Sequence, residues 1–404
     1  MKKRPASVAI LAGGLILIAS ASVAALAAGP RVAYVRTVDT IAQSTPAKPA
    51  VQHMPTPSPV TAIYMTQCAV GTPSLRDSLV KLIDSTELNA VVIDIRDYTG
   101  KIAFPTDDPL LKAYVSDQCG AKDMNVFIQQ LHDKNIYVIG RITTFQNPAY
   151  TKAHPDQAVQ KKGGGVWKDY KGLSFVDVGA KPYWESVVAL GKDAHDLGFD
   201  ELNFDYIRFP SDGPMSEAVY SLDVGKSKQE ALEGFFKYLH DGLAPTGVVL
   251  SADLFGMVTT NYDDLNIGQV LERTLPYFDY IDPMVYPSHY PTGFNGYKSV
   301  NDHPYDIVNF SLTHAVERTV ATTTTIASFA YTRIGTSSPP LYEKPSYEAS
   351  KIRPWLQSFD YPVIYTPAMV SAQLKAMRDV GLQSYLFWDP TNRYVALRQV
   401  LKME

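Results

Sequence analysis

A chain of 404 residues with 46% hydrophobic side chains has ample material for a buried core, which excludes an intrinsically disordered protein. Its 41 acidic against 37 basic residues leave a net charge of −4, which excludes a sequence-independent nucleic-acid binder, since that needs a basic surface to displace counterions. Only 19% of residues are charged while 25 are Tyr and 4 are Trp, a balance suited to sugar ligands, whose C–H faces stack on aromatic rings. In chain order, Lys2, Lys3 and Arg4 precede an apolar or small run from Ala6 to Gly29. A basic start followed by an apolar stretch reads as an export signal, and about 20 apolar residues also suffice to span a bilayer. Residues 1–29 are therefore predicted to be a cleaved signal peptide or a membrane anchor, the one membrane contact expected. Either places the rest of the chain outside the cytoplasm. Residues 30–59 carry Pro46, Pro49, Pro55, Pro57 and Pro59 among Thr, Ser and Ala, and are predicted to be a disordered Pro/Thr-rich linker. Cys68 and Cys119 leave two readings open, one disulfide or two free thiols.

From residue 60 to 404 short β-like runs alternate with helical ones. The strands are predicted at 61–66, 90–95, 136–142, 201–205, 248–253, 280–286, 353–359 and 384–388, with helices at 73–85, 125–134, 184–197, 228–243 and 367–380. Strands alternating with helices favour a parallel sheet with right-handed crossovers, and eight strands close a (β/α)8 TIM barrel. The rival, an open doubly wound sheet, needs a Gly-rich phosphate turn after the first strand, where this chain has Thr66, Gln67, Cys68 and Ala69. Three long loops are predicted at strand C-termini, over 96–123, 143–181 and 287–352, where barrel sites are built.

Side chains alternate faces along a strand. With Leu202 and Phe204 outward, Glu201, Asn203 and Asp205 point into the barrel, Asp205 at its mouth; Ser251 and Asp253 repeat the pattern, as do Asp94 and Arg96, and Asp282, Met284 and Tyr286. Acids gathered in an interior are costly unless paired or used. An ion-pair network with Arg96, Arg141, Arg208 and Arg393 is one explanation. The other is chemistry: glycoside hydrolysis needs one carboxylic acid to protonate the leaving oxygen and a second carboxylate at the anomeric carbon or its water. Asp205 and Asp253, on adjacent strands, are the predicted catalytic pair. Arg208 is predicted to hold Asp205 ionised, and Asp253, beside Leu254 and Phe255, to donate the proton. Asp94, Arg96, Arg141, Asn203, Arg208, Tyr286, His289, Trp388 and Asn392 are candidate substrate contacts. No zinc arrangement and no nucleophile elbow occur, and no cofactor is indicated. Asp94, Asp205 and Asp253 as oxygen ligands of a metal are a third possibility.

From about residue 60 to 394 the chain resembles a bacterial family described as a putative glycosyl hydrolase domain, related at a distance to α-amylase-like glycosidases. The resemblance rests on Glu87–Asp94 (ELNAVVID), Gly198–Gly213 (GFDELNFDYIRFPSDG), Ser251–Gly256 (SADLFG), Tyr280–Tyr290 (YIDPMVYPSHY) and Trp388–Tyr394 (WDPTNRY). It implies a (β/α)8 barrel acting on an extracellular or cell-wall polysaccharide. In amylase-like enzymes the strand-four Asp is the nucleophile and the strand-five acid is a Glu; here strand five ends in Asp253, one methylene shorter. A glycoside hydrolase is thus expected, with a non-catalytic carbohydrate- or wall-binding barrel as the alternative.

Overall fold

The computed structural model describes residues 51–222 and 225–402. The predicted leader, and the linker up to residue 50, lie outside the described residues. Eight parallel strands close a barrel in sequential order: β1 (Thr61–Met65), β2 (Ala90–Arg96), β3 (Tyr137–Thr143), β4 (Glu201–Asp205), β5 (Val249–Phe255), β6 (Tyr280–Met284), β7 (Trp355–Gln357) and β8 (Tyr385–Trp388). Thr61 opposite Tyr385 joins β8 to β1. The fold is a (β/α)8 TIM barrel, with nearly every strand residue buried, because helices cover one face and the barrel interior the other.

Five helices lie where they were predicted, α1 (Pro73–Asp84), α2 (Met124–His132), α3 (Lys181–Leu197), α4 (Lys228–Leu243) and, later in the chain, α7 (Pro367–Asp379); the single-turn α5 (Leu271–Thr274) and α6 (Pro304–Val320) were not predicted. Their ends carry local signals. Ser227 and Glu230 form a reciprocal capping box on α4, Thr66 caps a turn after β1, and Gly198 ends α3 with φ 125°. The stretch 287–352, predicted as one long loop, contains α6 and a small antiparallel sheet (Thr323–Thr324, Thr332–Ile334, Leu341–Glu343). α6 runs antiparallel to α7, with Tyr305 Oη donating to Asp379 and Asn309 to the Ala376 carbonyl. Its apolar periodicity is shallow, which hides it in the sequence.

The barrel interior is layered. Val60, Ala62, Ala90, Val92, Tyr137, Ile139 and Leu386 fill one end with apolar side chains. Above them lies a polar layer: Arg353 pairs with Glu201 and Asp282, Ser251 Oγ donates to Glu201 at 2.6 Å, and Asn203 Nδ2 reaches Ser251, Asp253 and Asp282. Residues 51–59, predicted as linker, lie against the barrel instead. Met54 N donates to Asp200 at 2.7 Å, Thr56 Oγ1 meets Tyr137 Oη at 3.1 Å, and His53 stacks on His195. Cys68 and Cys119 form a disulfide that ties the turn after β1 to the loop after β2.

Candidate active site

The residues at the strand C-termini surround a cleft of about 740 Å³ that opens to solvent and continues into a second hollow. Arg141, on β3 between β2 and β4, stands at its floor. Its Nη1 donates to Asp94 at 2.6 Å, its Nη2 pairs with Asp205, and its Nε lies 3.9 Å from Asp253 Oδ2. Three carboxylates from three strands thus converge on one guanidinium, which occupies the position a cation would take. This corrects the reading of the acids as metal ligands. It also corrects the expected partner of Asp205: the pairing cation is Arg141, one strand away, because Arg208 has left the strand and its Nη1 is held by the Phe209 carbonyl at 3.0 Å.

Asp205 ends β4, and Tyr206 turns back at φ 47° so that its own N–H donates to Asp205 Oδ1 at 2.5 Å. Asp253, on β5, is 1% exposed against 5% for Asp205. Its Oδ1 accepts from Trp355 Nε1 at 2.6 Å and from Asn203 Nδ2 at 2.8 Å. Burial pushes the Asp253 carboxyl well above the usual carboxylate range, and the charges of Asp205 and Asp282 push the same way, against the pull of Arg141. Burial likewise raises Asp94 to about 6, offset by Arg141 and by the Tyr64 hydroxyl that donates to it.

Aromatic side chains line the cleft wall. Trp388, ending β8, stacks on Tyr64 with ring centroids 3.8 Å apart and takes the Arg141 guanidinium over its face at 4.8 Å. Tyr286 is buried, its hydroxyl pushed up by burial and by Asp253 and Asp205; His289 packs edge-on against it and is lowered, by burial and then by Lys171. Arg141, Asp205, Arg208, Asp253, Tyr286, His289 and Trp388 line the first hollow, and Asp94 the second.

Three predicted contacts lie elsewhere. Arg96 turns away from the barrel because β2 carries a bulge: Asp94 is level with Arg141, but Arg96 is level with the outward Ile142. Its Nε donates to the Thr143 carbonyl and its guanidinium covers the Tyr183 ring. Asn203 sits in the polar layer beneath the floor. Asn392 ties the chain end together, accepting from Thr66 N and donating to the Tyr64 and Asp389 carbonyls. Conversely, Tyr64, Trp355 and Arg353 hold or touch the key acids and were missed. The alternation rule finds them, since Arg353, Trp355 and Gln357 share one face, as do Ala62 and Tyr64.

A sequential (β/α)8 barrel whose mouth gathers acids and aromatic rings is the architecture of glycosidase-like proteins. Residues 62–394 match the family model described as "Putative glycosyl hydrolase domain", and the chain belongs to that family. Among solved structures, a hypothetical protein from Ruminiclostridium thermocellum ATCC 27405 is 33% identical, with 47% of this chain and 96% of that one covered and a TM-score of 0.43. The glycoside hydrolase domain of PgaB (BpsB) from Bordetella bronchiseptica is 13% identical, with 86% and 100% covered and a TM-score of 0.56, and shares the fold. The glycoside hydrolase domain of PelA from Pseudomonas aeruginosa is 11% identical, with 84% and 97% covered and a TM-score of 0.44. No curated protein matches the chain.

Proposed function

We propose that this protein is an exported glycoside hydrolase that cleaves an extracellular or cell-wall polysaccharide, with Asp253 as proton donor and Asp205 as the carboxylate that attacks the anomeric carbon or activates water. The observation that carries this reading is the pair itself. Two carboxyl groups from adjacent strands flank one guanidinium at the floor of an open cleft, in unlike environments. Asp205 is in an ion pair. Asp253 is held by two N–H donors on one oxygen, and its burial favours the protonated form. Two titratable groups driven apart in this way supply an acid and a base at one pH. Because Trp355 and Asn203 both donate to Oδ1, Oδ2 is the oxygen left to carry the proton to the leaving group. Trp388, backed by Tyr64, stands at the cleft wall as ring surface for a sugar, and Arg141 holds Asp205 in place.

Export is supported by the basic, then apolar start of the chain and by the Cys68–Cys119 disulfide, a bond characteristic of oxidising compartments. The mature chain would be secreted or held at the membrane by its N-terminal segment.

The test is release of reducing sugar from a panel of cell-wall and extracellular polysaccharides. Asp205→Asn is expected to lower the rate about 10²–10⁴-fold with the melting temperature little changed, and full activity in that variant on a cleaved substrate would end the assignment. One observation favours a second reading, a non-catalytic glycan-binding barrel: both acids share Arg141 and are almost wholly buried. Binding without release of reducing ends from any glycan would select it.

A further inference from the structure

Arg208, like Arg96, is a buried arginine with no carboxylate in an ion pair, but unlike Arg96 it faces the cleft. It is 7% exposed. Its guanidinium lies over the Tyr206 ring at 4.9 Å and near the Phe255 ring at 5.3 Å. Nη1 is spent on the Phe209 carbonyl, and Nε has no partner. Asp205 and Asp212 act on it through space, yet neither forms an ion pair with it, Asp205 being taken by Arg141. A guanidinium buried without a counterion is costly, and an anion bound in the cleft would offset that cost. Arg208 lines both hollows of the cleft.

A second cation faces the same space. Lys171, on the loop after β3, lines the second hollow and lies close enough to His289 to depress it. Among the described residues no carboxylate pairs with Lys171. Of the acids in this hollow, Asp94 is engaged by Arg141 and Tyr64. Asp169 accepts the backbone N–H groups of Lys171 and Leu173 at 2.9 and 2.8 Å, and Asp212 lies exposed at the rim. Burial, and then Lys171, lower His289 and so disfavour its cationic form. Two cations from different loops, neither of them in an ion pair among the described residues, therefore face the hollow beside the proposed catalytic pair.

We propose that the second hollow binds the acidic group of a charged sugar, a uronic acid carboxylate or a phosphate ester, between Arg208 and Lys171, so that the substrate is an anionic glycan. This deepens the proposed function and rests on its reading of the cleft as a glycan site. Guanidinium groups favour planar and tetrahedral oxyanions over neutral hydroxyls because each contact is charge-assisted.

Binding, not cleavage, is the readout. The full-length protein is titrated calorimetrically with oligogalacturonate and its carboxyl-reduced counterpart, and with phosphorylated mannan oligosaccharide and its dephosphorylated counterpart. The acidic member of one pair is expected to bind at least about tenfold more tightly, a preference that shrinks as salt rises, and the pair that responds tells carboxylate from phosphate. Arg208→Gln and Lys171→Ala should each remove most of the preference, the Lys171 variant with the neutral member bound as in the wild type; Lys171 is exposed, so its variant reports even if the Arg208 variant misfolds. Equal affinity within both pairs, binding to none, or a preference intact in the Lys171 variant overturns the proposal. An acidic glycan bound but never cleaved would end the hydrolase reading and leave this one standing. Neutral glycans bound and cleaved as well as acidic ones would do the reverse.

Discussion

At the scale of single residues the site is defined by how unequally two aspartates are treated. Asp253 has a folded-state pKa raised well above 3.8, so the fold prefers its protonated form. The stability this contributes is complete below the unfolded value and is lost as pH rises through the folded one. Asn presents the same accepting oxygen to Trp355 and Asn203 without that ionisation. Asp253→Asn is therefore expected to melt a few degrees above the wild type near pH 8, with the gain vanishing near pH 4, while hydrolysis falls about 10²–10⁴-fold. Melting curves across that range, read beside activity, check both parts; a variant less stable at every pH would show that Asp253 is ionised in the fold. Asp94 and Asp282, each raised to about 6, act with the same sign, so the wild type itself should lose some stability as pH climbs from about 4 to about 6. The placement of Asp205 and Asp253 was legible in the sequence, because Asp205 ends its strand and Asp253 lies two residues from the end of its own, each in an inward position of the alternation. The identity of the cation between them was not. Arg208 is three residues from Asp205 along the chain, but Arg141 is its neighbour across the sheet, and register decides that contact.

At the scale of elements, period-two alternation located the eight strands to within a few residues and sorted their faces correctly wherever the strand is regular. It failed where a strand is not. The bulge in β2 sends Arg96 out beside Tyr183, a single-residue slip that no propensity announces. β7 is only three residues long, and its approach carries the side chain that balances the polar layer. Arg353 is fully buried and pairs with Glu201 and Asp282 together. Removing one partner of a buried network strands the others. Arg353→Met is expected to cost about 3–5 kcal/mol in urea unfolding, and Arg353→Lys to recover little of it, since one ammonium cannot reproduce the forked contacts to two carboxylates. A loss below about 1 kcal/mol in the Met variant would show that the two acids are carried protonated without it.

At the scale of the molecule, the chain closes its barrel with a piece of what composition marks as spacer. Proline-rich sequence argues against a core of its own, and it is silent on whether the segment docks on another. Here Met54 packs against the apolar end of the barrel interior, its N–H meets the buried Asp200 carboxylate, and Thr56 continues a hydroxyl chain through Tyr137 to Glu201. Asp200 also receives the Val138 N–H and His132. The segment thus covers the end of the barrel opposite the cleft and reaches the polar layer that supports the site. A chain beginning at residue 60 should be about 1–3 kcal/mol less stable than one beginning at 51, from lost Met54 burial and the Asp200 bond. Both chains keep every group that lines the cleft. Urea unfolding of the two should therefore separate, while their rates on a cleaved glycan at low temperature agree. Coincident unfolding curves would mean the docked segment contributes nothing to the barrel, and unequal rates would mean that its support reaches through Tyr137 and Glu201 as far as Asp253.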